Sequence, residues 1–203
     1  MILDASGESF RNEIYEHYKA NRPEPPEDLK PQFPLIRDAT RAFSLPCIEE
    51  LGLEADDLIG SALTRARAEG RPSLILSADK DLSQLLGEHD VQWDYAKNER
   101  WQLAGVKAKH GVHAHQLADY LGLTGDAVDN VPGVQKVGPK TAAKLLLEYG
   151  SLDNLMAHAG EVKGVVGENL RKAVDWLPTG RQLLKIRTDC DLNGYVPELP
   201  SLE

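Results

Sequence analysis

Acidic residues are grouped at four places in this 203-residue sequence, each beside a point where a helix or strand should begin or end. Unit charges about 4 Å apart near a protein surface repel by roughly 4 kcal/mol per pair, so such groups need cations. Carboxylate oxygens favour Mg²⁺ or Mn²⁺ over zinc, and two such ions could promote phosphodiester hydrolysis. The acids are Asp4, Glu54, Asp56, Asp57, Asp79, Asp81, Asp126 and Asp129.

Each group of acids also has a structural explanation. Acids in a first helical turn stabilise the helix dipole, and this is the commoner role for a run such as Glu54–Asp57. Asp79 is suited to capping the helical turn that follows it. The combination is what favours a metal site. In a parallel sheet Asp4 and Asp79 would lie at the same edge, and the helix that begins near residue 54 would be aimed at them.

The order of the elements predicts an α/β fold. Apolar runs at 1–4, 73–77 and 91–93 are typical of strands in a mainly parallel sheet, and an amphipathic helix spans 54–69, so helices should cover both faces. From about residue 104 the pattern is helical only. We therefore expect an α/β body over residues 1–103, a helical region over 104–190 and a linker over 191–203.

A segment punctuated by glycines, residues 130–146, is the second motif with chemical meaning. Its glycines and proline predict a tight hairpin before a helix whose free amides, with nearby ammonium groups, could bind phosphates without reading bases. A solvated turn between two packed helices is the alternative. The hairpin carbonyls could also hold K⁺ or Na⁺. The residues of this predicted DNA-binding surface are Gly133, Lys136, Gly138, Lys140, Thr141 and Lys144.

The charge is unevenly distributed along the chain. The net charge is −9, yet residues 130–187 carry 9 basic and 5 acidic side chains, against 14 and 23 in residues 1–129. This asymmetry suits a metal site beside a phosphate-binding surface, although chance clustering explains it equally well. No run of apolar residues approaches a membrane span. Cys47 and Cys190 match no metal or redox spacing, which predicts reduced thiols in a cytoplasmic protein.

Three motifs in this order resemble a known family. Glu54–Asp57, Ser77–Leu82 and Gly125–Gly133, followed by Lys140-Thr-Ala, are similar to the 5′-nuclease domain of bacterial DNA polymerase I, within the flap endonuclease family. The similarity extends over nearly the whole chain. It implies a PIN-like α/β body, a helix–three-turn–helix DNA-binding region and a two-metal nuclease that cuts 5′-ended, nicked or flapped DNA during replication and repair.

The resemblance also assigns roles to single residues. Asp4, Glu54 and Asp56 match acids of a first metal site, with Asp57 in a supporting position. The acids that match the second site are Asp79, Asp81, Asp126 and Asp129. Lys19 and Arg22 match basic residues of an arch that contacts the scissile phosphate. Without the resemblance, this pair would be interpreted as a solvent-facing helix end.

One departure from the family pattern affects the expected activity. The family begins with a central strand that carries an Asp, followed by aromatic and basic residues, and none of these precedes Asp4 here. We therefore expect one metal ligand and the middle of the sheet to be missing. The predicted C-terminal linker leads us to expect that the chain continues into a polymerase portion. The alternatives are a non-catalytic DNA-binding fragment, a fragment completed by another chain, and an RNA-cutting PIN nuclease. The hairpin at Gly133–Lys140 weighs against the last.

Overall fold

The computed structural model describes residues 1–5 and 7–192, so most of the linker predicted at 191–203 lies outside the described residues. Three strands form one sheet in the order β1-β2-β3. They are β1 (Leu74–Leu76), β2 (Val91–Asp94) and β3 (Glu99–Gln102). The helices are α1 (Phe10–Ile14), α2 (Gln32–Ala42), α3 (Ala55–Ala68), α4 (Leu103–His110), α5 (Leu117–Thr124), α6 (Pro139–Tyr149), α7 (Leu152–Ala157), α8 (Gly164–Ala173) and α9 (Leu177–Leu184), with 3₁₀ turns at Asp81–Leu85 and Ala114–Gln116.

The predicted α/β body is confirmed, and its described sheet is mixed. β1 and β2 pair in parallel, whereas β2 and β3 pair antiparallel, because the turn at 95–98 reverses the chain with Asn98 in the left-handed region at φ 53°. At the N-terminus, the strand expected at 1–4 is reduced to a single parallel bridge between Ile2 and Ile48. None of the helices in the described residues is long and apolar enough to cross a lipid bilayer.

Helix α3 forms because its first turn is capped and one of its faces is apolar. The Glu54 side chain accepts from the backbone of the first turn, and the Glu54 amide donates to Asp57 Oδ2 at 3.3 Å, which completes a capping box. Leu58 and Leu63, which lie on the apolar face of α3, are buried. Acids at the start and arginines in the last turn complement the helix dipole. The carboxylates near residue 54 are therefore held at a helix N-terminus.

Helix α1 is short. Ser9 caps it and forms a capping box with Asn12, but Tyr15 leaves the helical region at φ −147°. Turns then follow, and Lys19 takes a left-handed conformation at φ 55°. This early end turns the Tyr18 side chain inward, so that it joins the core of the helical region.

The hairpin that precedes α6 is closed by two glycines in contact. Asp126 and Val131 exchange two backbone hydrogen bonds of 2.8 Å, and Gly125 lies at φ +75°. A Cβ on Gly133 would lie 2.3 Å from both the Gly125 nitrogen and the Thr124 carbonyl carbon. Gly138, which caps α6, has nothing within 4 Å of an added Cβ. Close packing therefore requires a glycine at position 133 but not at position 138.

We expect Gly133→Ala to lower the free energy of unfolding by about 2 kcal/mol or more, because the obstructing atoms are backbone and a methyl group has no space. Urea unfolding followed by circular dichroism measures this loss. Gly138→Ala is the matched control and should cost at most about 1 kcal/mol, since it changes only a helix cap. Equal losses in the two variants would contradict the role assigned to the glycine contact.

Candidate active site

The first group of acids surrounds the N-terminus of α3. Asp4 Oδ1 accepts from the amide of Ala55 at 2.6 Å, so the carboxylate is held directly over the helix start. Glu54 Oε1 accepts from the Ser9 hydroxyl at 2.9 Å, and Glu54 Oε2 accepts from Lys19 Nζ at 2.8 Å. The predicted residues Asp4, Glu54 and Lys19 therefore lie together.

Tyr18 connects this group to the helical region. Its hydroxyl oxygen lies 3.1 Å from Glu54 Oε2 and 3.1 Å from Asp129 Oδ2, and the side chain is only 3% exposed. Burial and the two carboxylates raise the pKa of Tyr18 above its ordinary value, so the hydroxyl keeps its proton. Arg22 donates to Asp129 Oδ1 at 2.6 Å. The segment 18–22 thus bridges acids from both parts of the chain.

The second group of acids follows β1 and includes a lysine that sequence reasoning did not select. Asp79 Oδ1 accepts from the Asp81 amide at 2.9 Å, and Asp126 Oδ1 accepts from the Val128 amide at 2.8 Å. Lys80 Nζ donates to Asp126 Oδ2 at 2.6 Å. It also lies 3.2 Å from Asp81 Oδ1, but this buried oxygen has no hydrogen-bond partner. Hydrogen bonds therefore hold the carboxylates of Asp79 and Asp126, whereas Asp81 is held through its backbone amide.

Two carboxyl groups show that the acidic groups influence each other. Burial, followed by the charges of Asp79, Asp4 and Glu54, raises the pKa of Asp56 to about 7. Burial also raises the pKa of Asp81 to about 6, with Asp79 and Asp126 adding to the effect and Lys80 opposing it. Like charges close together disfavour ionisation, so Asp56 at the start of α3 and Asp79 after β1 lie within electrostatic reach of each other.

Asp57 requires a correction to the predicted metal set. Its side chain is fully buried, and its two oxygens accept from the Arg11 guanidinium at 2.6 and 2.8 Å. Asp57 Oδ1 also accepts from the Arg187 amide at 2.9 Å. A carboxylate with both oxygens occupied by a buried arginine cannot serve as a metal ligand without losing that pair. Asp57 therefore holds the fold and does not face the other acids.

The remaining acids fit divalent ions, although they are not arranged as a finished site. Within residues 1–5 and 7–192, no three acidic, histidine or cysteine side chains are close enough to hold one metal ion. Instead, Lys19, Arg22 and Lys80 each lie within 2.8 Å of a carboxylate. The unpartnered oxygen of Asp81 and the raised pKa of Asp56 are both features that a hard cation would relieve.

The predicted phosphate-binding surface lies on the hairpin and the start of α6. Lys136, Lys140 and Lys144 are exposed, and none of them forms an ion pair within the part of the chain that the structure describes. Gly138 offers no side chain to cap α6, so the first amides of the helix, including that of Thr141, stay open. Lys136 lies in the left-handed region at φ 63°. The surface is electropositive and has free donors.

Comparison with known proteins identifies the family. Residues 1–111 match the 5′–3′ exonuclease N-terminal resolvase-like domain, and residues 112–201 match the 5′–3′ exonuclease C-terminal SAM fold. The chain belongs to the 5′–3′ exonuclease family. Among the family's curated members, DNA polymerase I of Rhizobium leguminosarum is 46% identical over 194 residues, which cover 95% of this chain and 19% of that protein. The 5′–3′ exonuclease of Aquifex aeolicus is 36% identical over 192 residues, covering 95% and 65%.

Solved structures of similar fold confirm the architecture. A T5 5′-exonuclease with bound zinc superposes with a TM-score of 0.77 at 22% identity, over 89% of this chain and 71% of that one. The catalytic core of Rad2 in complex with DNA gives a TM-score of 0.59 at 15% identity, over 98% and 68%. The chain spans about a fifth to a quarter of the length of the DNA polymerase I relatives.

Three residues of this region were missed by sequence reasoning because their partners are distant in the chain. Arg11 pairs across 46 residues, Tyr18 OH reaches Asp129 across 111, and Lys80 reaches Asp126 across 46. The one available signal was a basic residue between two acids at Asp79–Asp81. A lysine flanked by carboxylates in a predicted metal site is a candidate counter-ion.

We expect Arg11→Met to lower the free energy of unfolding by about 3–5 kcal/mol, because it leaves the buried Asp57 carboxylate without a cation. Urea unfolding measures the loss. Arg41→Met removes an exposed pair with Asp38 and should cost less than about 1 kcal/mol. If Arg11→Met cost no more than this control, the buried pair would not stabilise the fold.

We expect stability in metal-free buffer to depend on pH through Asp56. Its pKa is about 7 in the folded chain against an ordinary value of 3.8, so between these pH values the folded form binds the extra proton and stability falls as the pH rises. Asp56→Asn should therefore be neutral near pH 4 and stabilising by about 1–2 kcal/mol near pH 8, allowing for solvent screening.

Thermal melting with a chelator present measures this difference at the two pH values. Glu168→Gln, an exposed acid on α8, is the control and should show no pH-dependent gain. An Asp56→Asn gain that is the same at both pH values would contradict the assignment.

Proposed function

We propose that this chain is a metal-dependent nuclease that hydrolyses phosphodiester bonds in DNA with a free, nicked or flapped 5′ end. The observation that carries the proposal is the gathering of acidic groups at the start of α3, where Asp4 lies over the helix start and burial, together with the charges of Asp79 and Asp4, raises the pKa of Asp56. Membership of the 5′–3′ exonuclease family and the bound metal ions named for a T5 exonuclease structure support it.

The carboxylates would hold two Mg²⁺ ions, for which Mn²⁺ could substitute. Asp4, Glu54 and Asp56 would serve the first ion, and the acids for the second are Asp79, Asp81, Asp126 and Asp129. Bound ions would supply an activated water and stabilise the leaving oxygen. Asp4 and Glu54 are already oriented by the Ala55 amide and the Ser9 hydroxyl, so little reorganisation is needed.

Two basic residues of segment 18–22 would contact the scissile phosphate. Lys19 Nζ forms an ion pair with Glu54, and the Arg22 guanidinium forms one with Asp129. Both basic groups are therefore positioned at the site before a substrate binds. The oxygens of a phosphate could accept from Lys19 and Arg22 in place of the carboxylate oxygens. Bound metal ions would then neutralise the carboxylates that the two basic residues leave. Lys19 and Arg22 therefore act by binding and orienting the phosphate. Cleavage releases a 5′-phosphorylated product and a 3′-hydroxyl.

The hairpin surface would hold the DNA backbone away from the site of cleavage. Gly133 fixes the loop by packing, whereas Gly138 and the open α6 amides would allow close approach of phosphates, and three exposed lysines would add sequence-independent attraction. The hairpin carbonyls could hold K⁺. In this proposal residues 1–103 form the nuclease body, 104–190 bind DNA, and the activity serves replication and repair, with fusion to polymerase domains as in the DNA polymerase I relatives. Two free cysteines fit the cytoplasm.

A specific observation favours a second candidate, a DNA-binding fragment that does not cut. Lys19, Arg22 and Lys80 neutralise the acids in the absence of metal, and no three described ligands are close enough for one ion. Such a fragment would bind flapped DNA through the hairpin with no requirement for a divalent cation. Cleavage separates the two candidates.

We expect cleavage of a 5′-labelled flap duplex in Mg²⁺, with loss of more than about a hundredfold in Asp79→Asn and Asp81→Asn, because even outer partners of a metal ligand cost about 10–100-fold. Gel-shift binding in a chelator should stay within a few-fold of wild type. Glu88→Gln, an exposed acid on the same body, is the control. Full cleavage by both Asn variants would refute the metal assignment. Flap binding without cleavage by the wild-type chain would establish the second candidate, and cleavage of RNA alone would refute the substrate class.

A further inference from the structure

Lys80 lies between two acids of the second group and is their shared cation. Its Nζ is 2.6 Å from Asp126 Oδ2 and 3.2 Å from Asp81 Oδ1. The lysine side chain is 46% exposed, whereas those of Asp126 and Asp81 are 4% and 15% exposed. The carboxylates are thus buried, while the cation that neutralises them reaches in from solvent.

The Asp126 carboxylate and the Asp81 backbone are held by hydrogen bonds from their own segments, whereas the Lys80 ammonium is held, among the described residues, only by the acids. Asp126 Oδ1 is fixed by the Val128 and Asp129 amides at 2.8 and 3.2 Å. The segment that carries Asp81 is held by the Asp79 carboxylate, which accepts the Asp81 amide. An ammonium group is a compact point charge on a flexible stem. Departure of Lys80 would therefore leave an oriented Asp126 carboxylate, with Asp81 beside it on a backbone that is held in place.

Lys80 satisfies these acids incompletely. Asp81 Oδ1 is buried, and the ammonium 3.2 Å away pairs with it by charge without forming a hydrogen bond to it. A structural ion pair of this burial normally satisfies both partners. A metal ion needs no donor–hydrogen direction, so it could contact the oxygens of both Asp81 and Asp126, whereas the ammonium hydrogen-bonds to Asp126 and not to Asp81 Oδ1.

We propose that Lys80 is an internal counter-cation that occupies the second acidic group in the absence of metal and competes with a divalent ion for Asp81 and Asp126. This inference rests on the proposed metal-dependent function. The ammonium and a divalent ion cannot both lie against Asp126 Oδ2 without strong repulsion between them. The lysine keeps the metal-free chain folded, and it lowers the affinity for the ion that replaces it.

The test is calorimetric titration of Mn²⁺ into the metal-free chain without DNA, comparing wild type with Lys80→Met. The variant should bind one ion about tenfold more tightly, because the competing charge is gone. Lys30→Met is the matched control, since Lys30 also contacts two acids, Glu24 and Glu27, but lies on an exposed loop. Its affinity should not change. Adding Asp126→Asn to Lys80→Met should remove the gain.

Thermal melting gives a second readout and guards against a variant that folds poorly. Lys80→Met should melt lower than wild type in a chelator and recover more on adding Mn²⁺, whereas Lys80→Arg should behave like wild type. Equal or weaker Mn²⁺ affinity in Lys80→Met, or no binding in either protein, would overturn the inference. Tighter binding in a chain that cuts no flap DNA would support the inference and refute the proposed function. Cleavage without any gain in affinity would refute the inference alone.

Discussion

The arrangement of the acids depends on one buried ion pair, between Arg11 and Asp57. Arg11 donates through Nε to the Leu183 carbonyl at 2.8 Å and through Nη2 to that of Lys185 at 3.2 Å, in addition to its two bonds to Asp57. The pair therefore ties α1, α3 and the end of α9 together. Because the same Asp57 carboxylate accepts the Glu54 amide, the start of α3 cannot rotate without breaking it.

This constraint separates acids that are adjacent in sequence. Successive residues of a helix project about 100° apart, so Asp56 and Asp57 point in different directions although they are neighbours. Asp57 is directed into the interior and to Arg11, whereas Asp56 faces Asp79 and Asp4. The buried pair orders the start of the helix, and the carboxylates beside it are the ones assigned to metal ions in the proposed function. One turn of helix thus serves stability and chemistry with different side chains.

The sequence predicts most of the elements that position the site, because their signals are local. The apolar face of α3, the capping residues and Pro139 at the start of α6 all act within a few residues. Strand β3 escaped prediction because its residues do not alternate between apolar and polar. Arg100 lies 3.9 Å over the Trp93 ring on the opposite strand, a contact that sequence pattern does not reveal.

The sequence predicts which acids belong to the candidate site, but it does not predict which basic residue pairs with each acid. Motif spacing brings Asp4, Glu54 and Asp79 into consideration, since each lies at an element boundary. Which acid meets Lys19, Arg22 or Lys80 depends on contacts between residues that are tens of positions apart. Resemblance to a family supplied the roles of Lys19 and Arg22 and the supporting position of Asp57, but it gave no information on the partner of Asp57, which is Arg11.

The contact between Gly133 and the Thr124–Gly125 backbone has a consequence for the energetics of recognition. A loop whose backbone atoms already touch has little conformational freedom to lose when a ligand arrives. For the proposed DNA-binding surface, the loop loses its conformational entropy during folding and not on binding. A larger share of the free energy of each phosphate contact would therefore contribute to affinity. In that proposal, a rigid loop would match the regular spacing of a sugar–phosphate backbone and would tolerate any order of bases.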